Sequence, residues 1–146
     1  MIIEKSDINY IHFGVIEVDF KCTMPKEDKA ISIDMDVDLN YDIFKIDDNK
    51  NIFQIVLDLK LTPPAGLAGY TINLKPIGVF ELPANIDKKQ IDSALIYTCI
   101  PMILGNARGF ILEITSHFPF GKYFLPSLSM NRILAANNNK SDGPQI

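Results

Sequence analysis

The chain has 146 residues, a formal net charge of −4 and a pI near 5.0. That is one domain's length, enough to bury a core without staples, and its acidity argues against nucleic acid or an anionic membrane surface as partner. Cys22 and Cys99 give neither a disulfide framework nor a metal-ligand spacing. With 47% hydrophobic residues and a mean hydropathy of +0.11, the chain carries more apolar surface than a soluble monomer of this size needs, which points to association or an apolar ligand. No leader or spanning stretch is visible, so a cytoplasmic location is expected.

The first two thirds read as strands. Ile16, Val18, Phe20 and Cys22 alternate with Glu17, Asp19 and Lys21, the period of a half-buried strand that Pro25 and the charges from Lys26 to Lys29 end. Ile31, Ile33, Met35, Val37 and Leu39 then alternate strictly with Ser32, Asp34, Asp36, Asp38 and Asn40, with Tyr41 and Phe44 as an extension. A turn over Asp47–Asn51 leads to a third strand with Phe53, Ile55, Leu57, Leu59 and Leu61 on one face. Residues 63–69, PPAGLAG, form a turn-rich connection. The fourth strand carries Tyr70, Ile72, Leu74, Phe80 and Leu82; Pro76 and Gly78 at its middle demand a bulge or an edge position.

A helix follows, with Asn85 or Asp87 as cap. From Ala94 to Leu104 almost every residue is apolar, a run too short to cross a bilayer yet needing cover on more than one side. A second copy of the chain is the expected cover, with Ile96, Ile100 and Ile103 as the interface of a homodimer or homotetramer. Pro101 predicts a kink. Beyond it, HFPFGKYFLP breaks helical periodicity but carries Phe118, Phe120, Tyr123 and Phe124, which suggests an extended strap over an apolar surface. A short helix around Met130, Ile133 and Leu134 comes next. The expected single domain spans residues 1–136, and residues 137–146 read as a polar, disordered tail. Four strands followed by a long helix give an α+β fold, with a four-stranded antiparallel sheet and the helices on one face.

Chemistry is hard to find. Asp34, Asp36 and Asp38 have a calcium-loop spacing, but Leu39 stands where that loop needs glycine, and the alternation makes the segment a strand. These acids read as a solvated sheet face or, with Glu17, Asp19 and Asp58, as an acidic docking surface. Cys99 and His117 would stand roughly 27 Å apart on a continuous helix, far beyond the reach of a nucleophile–base pair. Residues 64–69 lack the lysine and following helix of a phosphate loop. No catalytic residue, metal site or cofactor is expected.

Local words in the second half resemble the SecB family of protein-export chaperones. Gly78-Val79-Phe80 resembles the family's Gly-Ile-Phe on the last strand, and residues 102–108, MILGNAR, resemble its Ile-Leu-Phe-Pro-Tyr-Ala-Arg stretch. Phe118-Pro119 and then Leu125-Pro126 resemble its crossover loop. The match covers about residues 10–126. Gly105-Asn106 replace the family's Pro-Tyr, Asn73 stands where glutamate is frequent, and Asp142 is the tail's only acid.

The resemblance implies an ATP-independent holdase for unfolded or secretory polypeptides, delivering them to the translocase through a SecA-type motor. Clients would lie in grooves lined by Tyr41, Phe44, Phe80, Phe118, Phe120, Tyr123 and Phe124, with Asp34, Asp36 and Asp38 as the partner-docking face. Two alternatives stand beside it. One is a SecB-like protein with a dedicated client such as an antitoxin. The other is a small-molecule binding domain with an apolar pocket between helix and sheet.

Overall fold

The computed structural model describes residues 1–25 and 34–141, with the backbone alone from residue 136 onward. Four strands, β1 (Asn9–Thr23), β2 (Asp36–Asp47), β3 (Ile52–Thr62) and β4 (Gly69–Glu81), form one antiparallel sheet in the order β1-β4-β3-β2. The helices α1 (Lys88–Thr115) and α2 (Met130–Ser141) follow. This is the expected α+β architecture. Ile31 and Ile33, expected to open the second strand, lie outside the described residues, as do residues 142–146 of the tail.

Period-two patterning places the sheet. Ile55, Leu57, Leu59 and Leu61 of β3 and Ile72, Leu74 and Phe80 of β4 are fully buried on the helix-facing side. Burying each such side chain contributes about 1.5–3 kcal/mol, so the two central strands carry most of the core. Turn chemistry joins them. The Asp47 carboxylate accepts the Asn49 N–H at 2.9 Å in the β2–β3 turn. In the β3–β4 connection Leu67 N–H donates to Pro64 O at 3.1 Å, with Gly66 at φ +85°.

β1 starts at Asn9, well before the expected Ile16, and its register shifts twice, between Tyr10 and His12 and between Val15 and Glu17. The second shift lies opposite Pro76 and Lys75 of β4. Pro76 thus sits in a central strand, and the irregularity it demands falls on the facing strand. One consequence is that Ile16, expected on the buried face, is 58% exposed. Gly78 has a different reason. A Cβ there would stand 2.7 Å from Ile103 Cγ1 and 2.8 Å from Phe80 Cε2, so its bare backbone is the socket into which α1 presses Ile103.

α1 deviates from regular winding just before Pro101. Residues Leu95–Cys99 form a π turn, in which Ile100 N–H donates to Leu95 O five residues back. Proline has no N–H to offer Tyr97 O, and its ring crowds that carbonyl; a widened turn relieves both. Leu95, Ile96, Cys99, Ile100, Ile103, Leu104, Ala107 and Ile111 form a buried stripe facing the sheet. By length and composition the helix would suffice to cross a bilayer, but this stripe is covered within the chain.

The assignment of Ile96, Ile100 and Ile103 to an oligomer interface is therefore corrected. All three are buried in this chain's own core. The opposite face of α1 is smaller and more polar: Gly105, Asn106, Gly109 and Glu113 are exposed, and a Cβ added at either glycine would meet no atom within 4 Å. Ile96, Ile100, Ile103 and Ala107 follow the i, i+4, i+7, i+11 spacing of a single helix face, and the sheet covers that face within the chain. α2 lies against β2 and the π turn and continues through Ser141. The expected boundary at residue 137 thus falls inside a helix that Ala135 and Ala136, strong helix formers, carry forward.

Candidate functional site

Between α1 and α2 the backbone crosses the sheet as a strap. It leaves α1 at Thr115 and passes Phe20 of β1 and Tyr70 of β4, then reaches β2 where α2 begins. Phe118 packs edge-on against Phe20 at 5.9 Å between ring centroids, and Tyr70 meets both Phe118 at 5.6 Å and Phe120 at 5.5 Å. Tyr70 also donates its hydroxyl to Gly121 O at 2.6 Å. These four rings anchor the strap; they close the core's end and leave little aromatic face free.

Beyond that anchor, no backbone–backbone hydrogen bond among the described residues joins residues 122–128 to the rest of the chain. Side chains hold this segment instead. Thr115 Oγ1 donates to Ile111 O at 2.7 Å and accepts the Tyr123 N–H at 2.9 Å. Arg108 Nε donates to Leu125 O at 2.8 Å, and its Nη2 reaches Pro126 O at 3.4 Å. Leu125, between them, is buried in the core.

Where the strap meets β2 there is a cleft of about 620 Å³, lined by Val37, Asp38, Leu39, Ser127, Leu128, Ser129, Arg132 and Ile133. Val37 and Leu39 belong to the helix-facing side of an edge strand, Leu128 and Ile133 face them from strap and helix, and the serines and Arg132 supply polar groups. On its outer side β2 pairs with no strand among the described residues, so its backbone donors and acceptors border the cleft. Tyr97, turned outward by the π turn, fixes the far wall: its hydroxyl donates to Asn131 Oδ1 at 2.8 Å on α2.

The seven aromatics expected to line one groove are distributed. Phe118, Phe120 and Tyr123 come together on the strap, and Phe124 beside them is 66% exposed. Tyr41 is half-buried on the inner side of β2, but Phe44, three residues on, points to the opposite face and is 52% exposed. An odd spacing on a strand always separates side chains in this way. Phe80 is fully buried and stacks on Tyr10 at 4.4 Å, so it is core. None of the seven lines the cleft itself. Its apolar lining, Val37, Leu39, Leu128 and Ile133, was visible only as strand and helix pattern.

Asp36 and Asp38 stand exposed on the open face of the sheet, and Asp34 lies just ahead of β2. Tyr123 carries a raised hydroxyl pKa, first through burial and then through the negative charge of Asp34, so that acid sits close to the strap. Across the open face the register runs Asp38, Lys60, Asn73, Asp19, and next to that row Asn40 faces Asp58 while Lys75 faces Glu17. Lysines thus interleave with the acids, and Lys75 Nζ lies 3.3 Å from Glu17 Oε2. Negative charge is concentrated at the β2 end. Among the described residues no cluster of three or more His, Cys, Asp or Glu side chains could hold a metal.

Eleven solved chains match this structure. The Mycobacterium tuberculosis Rv1957 SecB-like chaperone, in complex with a ChAD peptide from the Rv1956 HigA1 antitoxin, aligns with a TM-score of 0.65 at 11% identity, covering 84% of this chain and 91% of that one. A protein of unknown function from Streptococcus agalactiae aligns with a TM-score of 0.46 at 8% identity, covering 83% and 97%. No family model matches, and no curated protein matches. The chain has a SecB-like fold.

Proposed function

We propose that this protein is a chaperone-type binding protein that holds extended, apolar polypeptide segments in the cleft between β2, the strap and α2. The observation that carries the reading is the cleft itself, an open trough of about 620 Å³ with mixed apolar and polar lining, beside a strand edge that pairs with no other strand among the described residues. An extended segment can add to such an edge through its backbone, whatever its sequence, while every second side chain turns into the trough. Affinity then comes from apolar area removed from water, about 25 cal/mol per Å², and needs neither nucleotide nor catalysis. The structural neighbour supports polypeptide as ligand, since that SecB-like chaperone holds an antitoxin peptide.

The finer reading is a holdase for unfolded or secretory polypeptides in the cytoplasm, working as a homodimer or homotetramer. In it the acidic β2 end, with Asp36 and Asp38, docks a SecA-type motor for delivery to the translocase. A dedicated client, such as an antitoxin, would use the same cleft. A small molecule between helix and sheet is disfavoured by the packing there: at Gly78 the gap does not admit even one added carbon.

The test is binding of a reduced, alkylated and therefore permanently unfolded protein, followed by fluorescence anisotropy without ATP. Leu39→Ser and Ile133→Ser, both at partly buried positions, should each weaken binding by about 1–3 kcal/mol while the fold survives. A single tight peptide ligand with no general affinity would select the dedicated-client reading. Absence of any polypeptide binding would refute the proposal.

A further inference from the structure

One wall of the cleft is reached from upstream by a segment that makes no backbone–backbone hydrogen bond among the described residues, so side chains set where that wall begins. Residues 122–128 of the strap make no backbone–backbone hydrogen bond among the described residues. Ser127, Leu128 and Ser129 nevertheless form one side of the trough. Ser129 O accepts the Ile133 N–H at 3.2 Å where α2 begins, and on the upstream side the nearest polar contacts to the wall are those of Arg108 with the carbonyls of Leu125 and Pro126. The Thr115 and Tyr70 contacts fall further upstream, at Tyr123 and Gly121.

Resting on the polypeptide-binding reading above, we propose that Arg108 is a positioning residue for the client cleft: its guanidinium clasps the strap at Leu125 and Pro126 and thereby sets the wall formed by Ser127–Ser129. The chemistry suits the task. A guanidinium is a rigid, always charged fork with donors only, so it can serve two successive carbonyls at once; a lysine ammonium is a point donor on a flexible stem. Arg108 has no carboxylate partner among the described residues, and both of its hydrogen bonds go to the strap. Leu125 O lies beside a buried side chain, where an unmade hydrogen bond is costly. Pro126 adds a fixed φ immediately downstream, so the orientation imposed at Leu125 is carried into Ser127 rather than lost in a free rotor.

The experiment compares the full-length wild type with Arg108→Lys and Arg108→Ala. The probe is a labelled, reduced and alkylated unfolded protein, with melting temperature and amide hydrogen exchange measured on the same samples. Arg108→Ala should weaken binding about tenfold at a temperature where it remains fully folded, with exchange rising at Tyr123, the strap amide that is hydrogen-bonded, and unchanged in β3 and β4. Arg108→Lys should fall between, with the same exchange pattern in milder form. Wild-type affinity in a folded Arg108→Ala, or exchange that rises equally across the whole chain, overturns the positioning role. Failure of the wild type to bind the probe overturns the polypeptide-binding reading instead. If Arg108→Ala does not fold, Arg108→Lys carries the comparison, and its unaltered affinity and strap exchange overturn the role.

Discussion

Gly78 offers a direct test of how α1 is locked to the sheet. In Gly78→Ala the new methyl would stand 2.7 Å from Ile103 Cγ1, 2.8 Å from Ile103 Cδ1 and 2.8 Å from Phe80 Cε2. Carbon–carbon contact is optimal at about 3.5–4.0 Å, so each approach is too close by roughly 0.7 Å or more. Neither neighbour can swing into solvent, because Ile103 and Phe80 are fully buried. Overpacking of this kind costs about 1–3 kcal/mol, a fall of roughly 2–12 °C in melting temperature for a chain of this length. Ile103→Ala alone should cost about 2–5 kcal/mol through its cavity. Together they should cost clearly less than the sum, because the added methyl occupies part of that cavity and two of the three clashes vanish. Denaturant unfolding of the four proteins in this cycle measures the coupling. A neutral Gly78→Ala, or strict additivity, would refute the socket.

Alkaline pH should unfold the protein through its buried acids. Burial pushes the Cys99 thiol up from 9.0 to about 12, and burial followed by the nearby Cys99 raises Tyr10 from 10.0 to about 12. A raised folded-state pKa favours the protonated form, so this stability is complete below pH 9 and is lost as pH climbs towards 12. For Cys99 the slope is about 1.4 kcal/mol per pH unit in that window; Tyr10, more exposed, adds a smaller loss above pH 10. Denaturant melts between pH 7 and 11 read it out, and stability that stays flat to pH 11 contradicts it. On the open face, Asp36→Asn with Asp38→Asn should leave stability within about 0.5 kcal/mol per site. The docking proposal requires the same pair to weaken binding of a SecA-type motor, most at low salt. Equal binding by variant and wild type would assign these acids to solvation alone.

The central elements were legible because their signals are local. Strict alternation over Val37–Leu39 and Phe53–Leu61 determines which face is buried, and the pattern survives into the sheet. Ile16 was misplaced because a register shift opposite Pro76 interrupts the alternation, and only the facing strand reveals where that shift falls. Tyr41 and Phe44 lie three residues apart on one strand, and that odd spacing by itself puts them on opposite faces. The stretch from Ala94 to Leu104 looks apolar all round in sequence, yet Ile96, Ile100 and Ile103 share one face by spacing, and only the fold shows that face covered by the sheet with Tyr97 left outward. The cleft was invisible for a different reason. Its lining comes from β2, the strap and α2, segments whose proximity is a property of the fold, and Arg108 signals its role only through the carbonyls it reaches.

The most direct test of a polypeptide-binding cleft is hydrogen exchange of this protein with and without a saturating, permanently unfolded client. Adding a strand to the outer edge of β2, which pairs with no strand among the described residues, should slow exchange at residues 37–43, and covering the trough should slow it at residues 127–133. Protection is expected at both segments and at none of the outer row from Asp19 to Lys60. Protection confined to the open face of the sheet, or no protection in the presence of bound client, would contradict it.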